Sequence, residues 1–191
     1  MRASSLIIVL ASLIFVSCET YPHSNLKINQ LFSEHMVLQQ QEYVAFWGTS
    51  TPGIEVTVSA SWGEKNTSTA DLSGDWRLNL DTPDAGGPYR IQIAAWDTSI
   101  ILHDVLIGEV WLASGQSNME MPLAGWPPND LVSNAQHEIA TANFPQIRMF
   151  TVTKSFSPKP LDSLDGSWNV TSPERAADFS ATAYFFARQI H

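Results

Sequence analysis

The sequence predicts an antiparallel β-sandwich followed by the opening part of an α/β domain. Three observations carry that expectation. Short alternating apolar runs, separated by turn residues, fill the chain from Leu26 to about residue 105. A near-continuous apolar run, "VLIGEVWLAS", comes directly after them. Two helix-like patterns then flank one more strand-like segment. The first pattern is that of stacked antiparallel sheets. The second suits a strand buried on both faces, and the third gives the β-α-β order of an α/β unit.

The elements follow in chain order. Arg2 precedes the apolar run "LIIVLASLIFV", Leu6–Val16, which is short for a membrane span and reads as a secretory signal over residues 1–17. Cys18 ends that run and is the only cysteine in the 191 residues, so no internal disulfide forms. Ser17-Cys18 resembles a bacterial lipoprotein cleavage box, with Phe15 where Leu is usual. That reading makes Cys18 the lipid attachment site. It gives export across the inner membrane and a membrane partner reached through an N-terminal lipid anchor, in the periplasm or at the cell surface. Residues 18–25 then form a polar tether.

The sandwich domain is expected over residues 26–105. "EYVAFWG" is aromatic and β-branched, "STPG" is a turn, and "EVTVSA" puts Val56 and Val58 on one face. After the turn "DLSGD", "WRLNL" aligns Trp76, Leu78 and Leu80, and "YRIQIAAW" alternates again. Residues 106–191 are expected to begin the α/β domain. "NDLVSNAQHEIATA" reads as a helix capped by Asn129 or Asp130, with Leu131, Ala135 and Ile139 on one face. "QIRMFTV" reads as a strand and residues 157–178 as a long loop. "FSATAYFFARQIH" is a helix with Asp178 as cap and Phe179, Ala183, Phe186 and Ile190 facing the core. Two strands and two helices do not cover both faces of a parallel sheet, so the expectation is a domain cut short.

The chemistry centres on "SGQSN", residues 114–118. Gly115 permits a tight turn after the apolar strand, and it would place Ser117 at a strand's C-terminal end, where open α/β sheets bind ligands. A serine hydroxyl is a weak nucleophile without a base and oxyanion donors. The second glycine of a G-x-S-x-G elbow is missing here, so spacing alone favours a turn over a nucleophile.

The flanking sequence adds what spacing cannot. "GEVWLASGQSNMEMPL", together with "LFSEHMVLQQ", "FWGTSTPGIEVTV", "GDWRLNL", "GGPYRIQI" and "FSATAYFFARQIH", resembles the N-terminal portion of the sialate O-acetylesterase family, in the SGNH hydrolase superfamily. The resemblance spans about Leu26 to His191. It implies an SGNH-type, flavodoxin-like α/β domain after the sandwich. Ser117 is implied as the nucleophile, with its own N–H in the oxyanion hole, and Gly115, Gln116 and Asn118 as the turn around it. It further implies a carboxylic ester hydrolase that removes O-acetyl groups from sialic acid or related glycans, with no cofactor. The family's histidine base and other oxyanion donors belong to later blocks that this sequence does not contain, so the chain by itself is expected to be inactive.

The five histidines, His23, His35, His103, His137 and His191, read as surface or structural residues, and Asp104 and Glu109 as strand-flanking ones. No metal-ligand spacing stands out. Trp126, in "AGWPPND", is the candidate for lining a substrate pocket, whereas Trp47, Trp62, Trp76, Trp96 and Trp111 fit a core better than a sugar-stacking platform. The net charge of −9 argues against nucleic acid as a partner. Two alternatives stand beside the sialate esterase: a non-catalytic glycan-binding β-sandwich lipoprotein, and an esterase of the acetylxylan type.

Overall fold

The structure, a computed structural model, describes residues 23–191. The expected signal segment, Cys18 and most of the tether lie outside the described residues.

Eight strands form the first unit: β1 (Lys27–Ile28), β2 (Val37–Gln39), β3 (Tyr43–Thr49), β4 (Glu55–Ala60), β5 (Lys65–Thr69), β6 (Asp75–Asp81), β7 (Gly86–Ala95) and β8 (Thr98–Gly108). They make two sheets, ordered β1-β3-β6 and β2-β8-β7-β4-β5. One core lies between them. Phe46, Trp76, Leu78 and Leu80 from the smaller sheet are buried with Val56, Val58, Ile91, Ile93, Leu102, Val105 and Ile107 from the larger. These are the alternating positions of each strand, since successive side chains point to opposite faces, except for the step from Leu102 to Val105, which a bulge in β8 interrupts. Full burial of each such side chain contributes about 1.5–3 kcal/mol.

The turns close as their residues require. The Asp71 carboxylate accepts the N–H groups of Ser73 and Asp75 at 2.8 and 3.0 Å. Gly74 has φ +87°, and a Cβ there would lie 2.7 Å from the Ser50 carbonyl oxygen. Gly48 lets β1 lie against β3, for its Cβ would fall 2.1 Å from the Lys27 carbonyl oxygen. The edge strand β5, "KNTST", carries no apolar residue and gave no hydrophobic signal.

Three expectations are corrected here. The larger sheet is mixed, because β2 pairs with β8 in parallel. The chain travels through the whole unit between these two strands, so no hairpin dictates their direction. Strand β8 also runs past residue 105 to Gly108, and Val105 and Ile107 belong to the first core. The apolar run at 105–114 is therefore not one buried parallel strand. Its first part completes the larger sheet, and residues 109–116 belong to no strand among the described residues. Of the tryptophans, Trp76 is core, while Trp47 and Trp62 are half-buried and donate Nε1–H to the carbonyls of Asp162 and Asp81.

The remaining elements are α1 (Ser117–Glu120), α2 (Ala135–Ala140), β9 (Phe144–Phe150), β10 (Trp168–Thr171), α3 (Pro173–Ala176) and α4 (Ala181–Ile190). Strand β9 was expected in a parallel sheet but pairs antiparallel with β10, which falls in the expected loop. Helix α2 starts late, after Asn134 in the left-handed region, and Leu131 is exposed. Reciprocal backbone bonds between Trp126 and Asp130 close a turn where the helix was expected to begin. In α4 the buried face is Ala181, Ala183 and Tyr184, while Phe186 and Ile190 are exposed. Its cap is Ser180, whose hydroxyl accepts the Ala183 N–H, and not Asp178. These residues enclose a second, smaller core with Leu123, Ala142 and Ala176.

Candidate functional site

The path to Ser117 begins where β8 ends. Gln40 and Gln39 donate side-chain N–H groups to the Glu109 carboxylate at 2.7 and 3.1 Å. The Gln39 side-chain oxygen accepts the Val110 N–H at 2.9 Å. The two glutamines, Gln40 foremost, hold the Glu109 carboxyl below its ordinary range. The end of β2 thus straps down the first residues after β8. The "LQQ" that begins in β2 was the only sequence signal for this strap.

Beyond it, Trp111–Gly115 make no backbone hydrogen bond among the described residues. Trp111 and Leu112 are 60% and 92% exposed. The Trp111 ring meets Phe186 of α4 edge-on, with centroids 5.1 Å apart. The chain then bends at Gly115 into α1. A Cβ on Gly115 would lie 3.0 Å from Met119 Cβ, so a larger residue would make the bend tight. The Gln116 carbonyl accepts the N–H groups of Met119 and Glu120 at 2.9 and 3.0 Å, and the Ser117 carbonyl that of Met121 at 2.9 Å. The Gln116 side chain makes no capping bond.

Ser117 and Gln116 are exposed on this turn, and so is Asn118. The Ser117 hydroxyl has no hydrogen-bond partner among the described residues. The turn rests on the start of α4. Ala181 N–H donates to Met121 O at 2.9 Å, Leu123 N–H to Phe179 O at 2.8 Å, and the Thr182 hydroxyl to Asn118 O at 2.9 Å. Two surface cavities, one bounded by Met149, Asn169, Glu174 and Phe179 and one by Gly53, Glu55 and Trp96, include neither Ser117 nor Trp126. Trp126 sits on its own closed turn, partly exposed.

None of the five histidines hydrogen-bonds to Ser117. His23 pairs with Asp97 at 2.8 Å. His35 Nδ1 lies 2.6 Å from Asp104, whose carboxylate also takes a fork from Arg148 at 2.8 and 3.1 Å. Sequence reasoning missed this cluster, because a β-bulge creates it. The register between β7 and β8 shifts between Tyr89 and Ile91, which face Val105 and Leu102. The bulge puts Asp104 at φ +54° and turns it toward His35 and Arg148. Arg148 hydrogen bonds, and then His35, hold its carboxyl below the usual range against the cost of burial. A His–Asp pair has the form of a catalytic dyad, but this one precedes the end of β8, and Arg148 neutralises its carboxylate. It fastens β9 to the first unit.

No family model matches the chain. Among curated proteins it is similar to the sialate O-acetylesterase of Mus musculus, with 33% identity over 176 residues, covering 82% of this chain and 31% of that protein. The sialate O-acetylesterase of Homo sapiens is 31% identical over 175 residues, covering 82% of this chain and 32% of that protein. Among solved structures it is similar to a carbohydrate acetylesterase from Xanthomonas citri, with a TM-score of 0.80 and 37% identity over 86% of this chain and 37% of that one. The chain spans about a third of the length of the curated relatives it matches. Sequence and fold together show the resemblance of this chain to the sialate O-acetylesterase family.

Proposed function

We propose that this chain carries the nucleophile-bearing part of a serine carbohydrate esterase that removes O-acetyl groups from sialic acid or related glycans. The observation that carries the reading is the Ser117 turn. Its hydroxyl is exposed and unbonded just after an apolar segment that joins no strand among the described residues, within a chain related to sialate O-acetylesterases. In the proposed reaction a base from outside the described residues takes the Ser117 proton as Oγ attacks the acetyl carbonyl carbon, the carbonyl oxygen takes up the negative charge, and the proton passes on to the departing sugar oxygen. The Ser117 N–H is one donor to that oxyanion. Collapse expels the sugar hydroxyl and leaves an acetyl-serine, which water hydrolyses to acetate.

The described residues place no base against Ser117, so this chain alone is proposed to be inactive. The base and further oxyanion donors come instead from polypeptide that pairs with residues 111–115, completing an SGNH-type α/β sheet beside the two-sheet domain. The unpaired backbone and exposed Val110, Trp111 and Leu112 support that pairing. Anchoring through a lipid on Cys18 is a further proposal, resting on sequence alone; an intact mass with diacylglycerol added at Cys18 is its check.

The test is acetate release from O-acetylated sialic acid by the native polypeptide and its Ser117→Ala form. Loss of turnover in the variant is expected. Equal rates would sink the assignment of Ser117.

A further inference from the structure

Helix α1 is a single turn of four residues with no buried side chain and no side-chain cap. An isolated turn of that length does not hold itself, because nucleation fixes several dihedrals for one hydrogen bond. Its upstream neighbours, Trp111–Gly115, make no backbone bonds among the described residues, so they do not hold it either. Downstream, the Asn118 carbonyl would ordinarily accept the N–H of the residue four positions on. That residue is Pro122, which has none. The Thr182 hydroxyl takes its place, donating to Asn118 O at 2.9 Å across 64 residues of sequence. Ser180, two residues earlier, adds a weak contact from its hydroxyl to Met119 Sδ at 3.6 Å.

We infer that Thr182 is a positioning residue. Its hydroxyl replaces the missing Pro122 N–H and, beside the backbone bonds from Ala181 N–H to Met121 O and from Leu123 N–H to Phe179 O, pins the turn that presents Ser117 to the first turn of α4. The residue after Ser117 then keeps a fixed carbonyl direction, and with it the backbone that carries the serine. The catalytic consequence rests on the proposed role of Ser117, but the pinning itself does not.

The experiment compares Thr182→Val, which keeps the shape and removes the donor, with Thr182→Ser, which restores the donor. Amide hydrogen exchange is followed at Met119, Glu120 and Met121, whose N–H groups close the turn. Reaction of Ser117 with a fluorophosphonate is followed in parallel, both in the native polypeptide. Loss of one hydrogen bond of ordinary net strength predicts exchange about threefold to tenfold faster in Thr182→Val. The β7–β8 amides should stay unchanged, and Thr182→Ser should return to the parent rate. Parent-like exchange at 119–121 in Thr182→Val overturns the inference, and so does faster exchange that serine fails to restore. A parent protein that does not react with the fluorophosphonate refutes the nucleophile reading instead, while the exchange rates still decide the pinning.

Discussion

Replacing Arg148 with methionine should destabilise the chain by about 2–4 kcal/mol, the magnitude left after solvent screening of a buried charge-assisted pair. The Arg148 side chain is only 4% exposed. It donates to both oxygens of Asp104, to the Asp104 and His35 carbonyls, and through Nε to Pro145 O. Methionine keeps the buried stem and removes every donor. Two bonds to a carboxylate, at about 1.5–3 kcal/mol each, give a gross loss of about 3–6 kcal/mol. The Asp104 side chain is one-third exposed, so water recovers part of that, which leaves about 2–4 kcal/mol. Urea unfolding of parent and Arg148→Met, with slopes compared, measures the difference. The sign with pH is also set. The Asp104 carboxyl is depressed in the folded state, so its contribution is complete above the ordinary carboxylate range. It is lost as pH falls through the depressed value. The variant should lack that part of the acid limb. A difference under about 0.5 kcal/mol at neutral pH, or an unchanged acid limb, would show that the cluster does not fasten β9 to the sheet.

Other perturbations have equally definite outcomes. Ser117→Ala should change stability by no more than about 0.5 kcal/mol, since the hydroxyl is exposed and unbonded, while fluorophosphonate labelling disappears. Gly48→Ala should cost about 3 kcal/mol, at the top of the overpacking range, because its methyl would meet the rigid Lys27 carbonyl at 2.1 Å; calorimetry reads the drop in Tm. The Asp97 carboxyl should titrate at about 2 by NMR, held there by the Ser24 hydroxyl and His23. Ser24→Ala should move that midpoint up toward the ordinary value, so the stabilisation that the parent loses as pH falls from the ordinary carboxylate range through about 2 should be smaller in the variant. An unmoved midpoint would remove Ser24 as the cause.

The β-rich first unit and the residues that fill its core are legible in the order of residues alone. Val56, Val58, Trp76, Leu78, Leu80, Ile91 and Ile93 alternate along their strands, and burial of one face follows from that period alone. The sequence also marked the Gly115–Asn118 turn, because a glycine follows the apolar run there and the surrounding block resembles a known family. What lay beyond it came from contacts between distant segments. The split of the apolar run at Gly108 depended on whether residues 109–116 find a strand partner, and hydrophobicity does not encode pairing. The polar edge strand β5 had no apolar period to betray it, and in β10 only Trp168 and Val170 alternate, too short a run to stand out. The α4 face rotated from Phe186 and Ile190 to Ala181 and Tyr184 because the small second core, around Leu123 and Ala142, lies on that side. The Asp104 cluster needed a bulge, and the Thr182 bond needed a proline and a threonine from distant parts of the chain to meet. Local patterns carry periodicity and turn chemistry. Which polar group satisfies which is decided only when the chain is packed, because a donor is assigned by distance in space and not by distance along the chain.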